Sequence, residues 1–168
     1  MFEILTVYHG GTEEIKTPKV NVGRPQLDFG PGFYVTDIYT QAASWATRVA
    51  ADRKGSPVVN IYNLRQREIR SAGRCKVFAA YNREWLEFVA ASRLGEEPWA
   101  GFDYIEGGVA DDRVVNTVRL YMGGFLSADE ALGRLRYFKP ANQICILSQS
   151  LLESYMDFMD CEEVRAYE

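Results

Sequence analysis

The sequence predicts a mixed α+β fold, and three observations predict it. Apolar residues alternate in short runs near both ends, and helical periodicity occupies the middle. A turn-rich stretch containing Pro18, Pro25 and Pro31 separates the first two strand patterns. A chain of 168 residues suffices for one full core and is short for two, so residues 1–168 read as a single domain. Hydrophobic residues make up 47% and aromatic residues 13%, so apolar surface does not limit burial.

The elements follow in order. "EILTVY" has a strand pattern that ends at His9-Gly10-Gly11, and residues 12–32 are polar and irregular. So long a structureless stretch inside one domain is commonly functional. "GFYVT" is the second strand, and "IYTQAASWATRVAADRKG" places Ala42, Ala43, Trp45, Ala46 and Val49 at helical spacing before Gly55 stops it. "PVVNIYNL" alternates as a strand and leads into an arginine-rich connector. "NREWLEFVAASRLG" is a helix capped by Asn82 and ended by Gly95. "FDYIEGGVAD" is a strand with a bulge expected at Gly107-Gly108. Two helices follow, "VVNTVRLYMGG" and "SADEALGRLRYF", the second opened by a Ser127/Glu130 capping box. "NQICIL" is a short buried strand, "SQSLLESYMDFM" a last helix or turn, and "EEVRAYE" a closing strand.

Composition narrows the function. The 19 basic and 23 acidic residues give a net charge of −4, without the basic excess of a general nucleic-acid binder. Arg65, Arg67, Arg70 and Arg74 form a local cluster, for which a solvated face is the plainer reading. Three cysteines, Cys75, Cys145 and Cys161, and a single histidine make neither a disulfide framework nor a zinc site. "MFEILTVYHGG" lacks the basic and apolar segments of a signal peptide, and no window approaches a membrane span. A cytoplasmic protein with no membrane partner is expected.

Several chemistries lack their motifs. There is no glycine-rich dinucleotide loop, no phosphate-loop lysine and no serine elbow. What remains are polar residues at strand ends beside glycines. His9 follows a strand, and Gly10-Gly11 would let main chain approach a ligand; equally, His9 could serve only nearby backbone. In "DFGPGFYVT" the period of two puts Gly32 and Tyr34 on one face and Phe33 and Val35 on the other. Tyr34 is either a core residue or the cover of a flat ring lying over Gly32. Gln143 opens a buried strand and needs hydrogen-bond partners, from the protein or from a ligand. Asp111 and Asp112 follow a strand, where they would either line a site or cap the next helix.

Taken together, "YHGG", "GRPQLDFGPGFYVT" followed by "QAASWA", "GGVADDRV" and "LRYFKPANQICIL" resemble the mono-ADP-ribosyltransferase superfamily over roughly residues 5 to 150. The closer likeness is to a small bacterial and phage-associated branch, with some relatives beside toxin–antitoxin-like genes and certain anti-CRISPR proteins as distant kin. The resemblance implies two small antiparallel sheets split around a cleft that grips NAD. It implies that His9 holds a ribose of NAD and Gly10 the nicotinamide amide, with Gly11, Thr12 and Arg24 nearby. Asp28, Phe29, Gly32 and Phe33 would belong to the same NAD-binding motif.

Tyr34 would stack on nicotinamide, and Gln143 would take the position, usually glutamate, that holds the nicotinamide-ribose 2′-hydroxyl. This is a departure, because an amide orients the ribose but supplies no negative charge. An acid from elsewhere, with Asp111 and Asp112 as candidates, would then be required, or activity would be reduced or lost. Gly11 departs too, since many relatives carry Ser or Thr there, and Thr12 would have to substitute. The implied reaction passes ADP-ribose from NAD to a macromolecular acceptor, a protein before a nucleic acid, with an antitoxin-like partner in some relatives. The rival readings are a catalytically degenerate nucleotide- or partner-binding module and an NAD glycohydrolase.

Overall fold

Two small sheets organise the chain, whose computed structural model describes residues 3–23 and 26–165. The first sheet contains β1 (Leu5–Gly11), β3 (Val58–Leu64) and β7 (Met156–Glu163) in the order β1-β3-β7, all antiparallel. The second contains β2 (Phe33–Val35), β6 (Asn142–Ile146), β5 (Tyr104–Gly108) and β4 (Cys75–Val77) in the order β2-β6-β5-β4. The sheets meet where Tyr8 and Thr36 exchange two backbone hydrogen bonds, 2.7 and 3.0 Å long, joining β1 to the end of β2. The α+β class therefore holds. The expected all-antiparallel pairing needs one correction, because β4 runs parallel to β5.

Six helices are described: α1 (Tyr39–Arg53), α2 (Gln66–Ala72), α3 (Arg83–Arg93), α4 (Val115–Met122), α5 (Ala128–Leu135) and α6 (Gln149–Tyr155). Among the described residues no helix is long and apolar enough to cross a membrane. The caps read from sequence are present: Asn82 accepts from Trp85 N at 2.9 Å, and Ser127 and Glu130 form the reciprocal box. In α1 the buried positions are Ala42, Ala46 and Ala50, whereas Trp45 stays 51% exposed with Arg48 over its ring. Small residues are needed on that face because β1 crosses it closely. A Cβ on Gly10 would lie 2.9 Å from Ala46 N and collide with the Ala42 carbonyl.

The second sheet is buried on both faces. Phe33, Val35, Tyr104, Ile144 and Ile146 face the first sheet and pack on Val7, Tyr62 and Leu64. Tyr34, Ile105 and Cys145 face the other way, toward Trp85, Val89, Val118 and Leu135. Each fully buried large apolar side chain contributes about 1.5–3 kcal/mol, so these two layers dominate stability.

The irregular segment before β2 is held by side chains. Asn60 accepts from Ile15 N and donates to Glu13 O, Tyr62 donates to Ile15 O, and Gln149 accepts from Val20 N. Backbone groups of Glu13, Ile15 and Val20 are thereby satisfied without a sheet.

Three local expectations change. The arginine-rich connector is largely helix α2, followed by the short strand β4. Strand β5 has no bulge, since Gly107 and Gly108 pair in regular register with Gln143 and Asn142. The last strand begins at Met156 and ends at Glu163, with Val164 and Arg165 beyond it.

Candidate functional site

The turn before β2 is built around the Tyr34 side chain. Its hydroxyl donates to Gly30 O at 2.7 Å and accepts from Phe29 N at 3.0 Å, closing the loop on itself. Gly30 has φ +93°, and a Cβ there would press into the Trp99 ring, 2.7 Å from Cδ1. Glycine is required on both counts. Burial, reinforced by the neighbouring Cys145, pushes the Tyr34 phenol far up, so it stays protonated and keeps donating.

Gly32 shares a face with Tyr34, but it opens no slot for a ring. A Cβ there would lie 2.6 Å from Ile146 O and would strike Cys145 Sγ. The glycine exists so that the turn can lie directly on β6. The expectation that a flat ligand occupies the space over Gly32 is therefore corrected: β6 already fills it.

Asp28 anchors the same loop from the inside. One carboxylate oxygen accepts from Arg93 Nε at 2.7 Å; the other accepts from Ala110 N at 3.0 Å and Gln143 Nε2 at 3.1 Å. Asp28 and Gln143 are both buried. Gln143 thus finds its partner in a carboxylate 115 residues away in sequence. Its amide nitrogen donates to Asp28, which leaves the amide oxygen as the acceptor end. On the same face Cys145 is inert, since burial pushes its thiol up to about 12.

His9 lies at the end of β1, and its Nδ1 donates to Tyr34 O at 2.7 Å. The acceptor is a carbonyl, so Nδ1 carries the proton and Nε2 is the basic end. Its ring stacks on Phe33 with centroids 4.4 Å apart. Burial lowers the His9 pKa below its usual value, opposed by the hydrogen bond to Tyr34, and the ring is neutral near pH 7.

The structure therefore brings His9, Tyr34 and Gln143 onto the linked strands β1, β2 and β6, with Tyr34 paired to Cys145 two residues from Gln143. It sets their side chains on two faces. Tyr34, Gln143, Asp28 and Phe29 lie on one side of the second sheet; His9 and Phe33 lie on the other, between the sheets. Gly10 packs on α1, and Gly11 lies beside the His9 ring. Thr12 sits against Gly55, where a Cβ would come within 3.0 Å. Arg24 lies outside the described residues.

Asp111 and Asp112 are engaged elsewhere. Asp111 accepts from Arg113 N at 3.0 Å and from its guanidinium at 2.9 Å, in the turn that leads to α4. Asp112 pairs with Arg48 of α1 at 2.8 Å. Neither aspartate caps α4, whose N-cap Val114 has no side-chain cap hydrogen bond, and the carboxylate touching Gln143 is that of Asp28.

One cluster went unremarked in the sequence. Glu106, 7% exposed in β5, accepts from the Tyr104 hydroxyl at 2.7 Å and Asn142 Nδ2 at 3.0 Å, and it pairs with Arg70 of α2. The available signal was a lone glutamate inside the apolar run "DYIEGG". Gln41 was missed as well. Its Nε2 donates to Asn142 O at 3.3 Å, and its buried Oε1 has no partner among the described residues.

No curated protein and no solved structure matches the chain. A family model does match, over residues 5–158, which takes in both sheets except the last five residues of β7. The chain belongs to the family described as "Protein of unknown function (DUF3990)".

Proposed function

We propose that the protein is an NAD-dependent mono-ADP-ribosyltransferase. The observation that carries this reading is that His9, Tyr34 and Gln143, 25 and 109 residues apart in sequence, stand on three directly linked strands where two small sheets meet, Tyr34 and Gln143 with side chains on one face and His9 on the other. The motif resemblance over the same strands supports it.

In this reading the neutral His9 offers Nε2 to a ribose hydroxyl, its proton fixed on Nδ1 by Tyr34 O. Gln143 offers its amide oxygen to the nicotinamide-ribose 2′-hydroxyl, because its nitrogen is committed to Asp28. The Asp28 carboxylate, one hydrogen bond behind and itself paired with Arg93, polarises that amide so that its oxygen is the more negative toward the oxocarbenium-like centre. The C1′–nitrogen bond of NAD breaks and nicotinamide leaves with the bonding pair. An acceptor nucleophile then bonds C1′ and gives up its proton. Orientation supplies most of the rate. The acceptor is a macromolecule, a protein in preference to nucleic acid given the acidic net charge.

The test is incubation with NAD radiolabelled in its adenylate phosphate together with cell lysate. Label on a macromolecule, lost in Gln143→Leu, supports the transferase; absence of label and of NAD binding refutes it. A second reading, a nucleotide-binding module without turnover, is favoured by one observation: no carboxylate stands at the Gln143 position, and Asp28 is already fully bonded to Arg93, Ala110 and Gln143. NAD binding without nicotinamide release would select it.

A further inference from the structure

Helix α2 carries a feature that neither sheet junction nor core packing uses. A concavity of about 410 Å³ lies over it, lined by Leu5 and Ile4 from the start of β1 and by Gln66, Arg67, Arg70 and Ser71 from the helix. That is within the range of small-molecule sites. A second, more open concavity shares Arg67 and Ser71 and is bounded by Tyr155. Arg67 therefore forms the ridge common to both.

The arginines of this segment differ in their partners. Arg65 pairs with Glu68, Arg70 with Glu106, and Arg74 with Asp103. The Arg67 guanidinium has no carboxylate partner among the described residues, in a chain whose acidic groups outnumber its basic ones, 23 to 19. Arg70 stands one turn along on the same helix, at i+3, so both side chains border the same concavity. Arg70 is held through one end by the buried Glu106, while its Nε is buried and has no partner. A guanidinium fixed in place by Glu106, beside a cation without a carboxylate partner, suits the oxygens of a phosphate group. Ile4 and Leu5 give the opposite wall an apolar surface, and Glu3 on the rim suits a hydroxyl donor.

We propose that this concavity binds a small phosphate-bearing molecule, with Arg67 and Arg70 holding the phosphate. The site is separate from the Tyr34–Gln143 face and stands or falls without the NAD reading. Arg67 is exposed, so Arg67→Ala and Arg67→Glu should leave the fold intact. The experiment is a titration of the full chain with inorganic phosphate and, separately, with AMP, at constant ionic strength, read by backbone amide NMR shifts.

The expected result is shifts confined to residues 3–5 and 66–71, with affinity at least ten-fold weaker in Arg67→Ala and lost in Arg67→Glu. Tighter binding of AMP than of phosphate assigns recognition to the apolar wall as well; equal affinity assigns it to the phosphate group alone. Absence of shifts in this segment, or unchanged affinity in both variants with the fold preserved, overturns the proposal.

Discussion

His9 Nδ1 lies 2.7 Å from the carbonyl oxygen of Tyr34, a side chain on one sheet bonded to the backbone of the other. Burial lowers the pKa of His9 relative to its unfolded value of 6.5. The unfolded chain therefore binds this proton more readily than the folded one. The contribution of His9 to stability is complete above about pH 6.5 and is lost progressively as pH falls below it. His9 is the only histidine in the chain, so its imidazole proton resonance can be followed without assignment. A midpoint below the usual value is expected, and replacing His9 by Gln should flatten the stability profile in this range.

Gly32 separates a packing role from a ligand role. Because a Cβ there meets Ile146 O at 2.6 Å, Gly32→Ala should cost about 1–3 kcal/mol, the range for overpacking, and Gly32→Val more. Urea unfolding measures this. A variant as stable as the wild type would mean that the turn does not rest on β6.

Tyr34→Phe keeps the ring and removes the hydroxyl that clamps Gly30 and Phe29. Two hydrogen bonds are lost and the amide of Phe29 is left without its partner. A loss of about 1–3 kcal/mol is expected in thermal or urea unfolding. Amide exchange at Phe29 should rise in parallel.

Gln143→Glu places a second carboxylate about 3.1 Å from the Asp28 oxygen. Two like charges so close raise the proton affinity of the pair, so the penalty is largest when both are ionised. The variant should be less stable than the wild type near pH 8, and the difference should shrink toward pH 5. Melting temperatures of both proteins across that range give the sign directly.

Much of the scaffold is legible in the sequence because its signals are local. Alternation marks β1, β2 and β3, and side-chain caps mark α3 and α5. Helix α2 is hidden because it is seven residues long, has no side-chain cap and carries three charges. The order "QREIRSA" reads as connector until Ile69 is seen buried against the core. In α1, Trp45 sits at helical spacing with the alanines yet remains exposed, since the close approach of Gly10 admits only small side chains.

The site was half legible. His9, Tyr34 and Gln143 stand out as polar or aromatic residues at strand ends, whereas their partners come from afar. Asp28 reaches Gln143 across 115 positions and Glu106 meets Arg70 across 36. No spacing rule encodes such pairs. Gly32 was misjudged for the same reason: its neighbour is β6, a strand more than a hundred residues later.

The central claim is the cleavage of NAD at the junction of the two sheets. The most direct measurement is nicotinamide release from NAD by the purified protein, followed by chromatography, with His9→Ala and Gln143→Leu alongside. Time-dependent release by the wild type, reduced at least ten-fold in each variant while the fold persists, is the predicted result. No release by the wild type, together with no calorimetric heat on adding NAD, would contradict it.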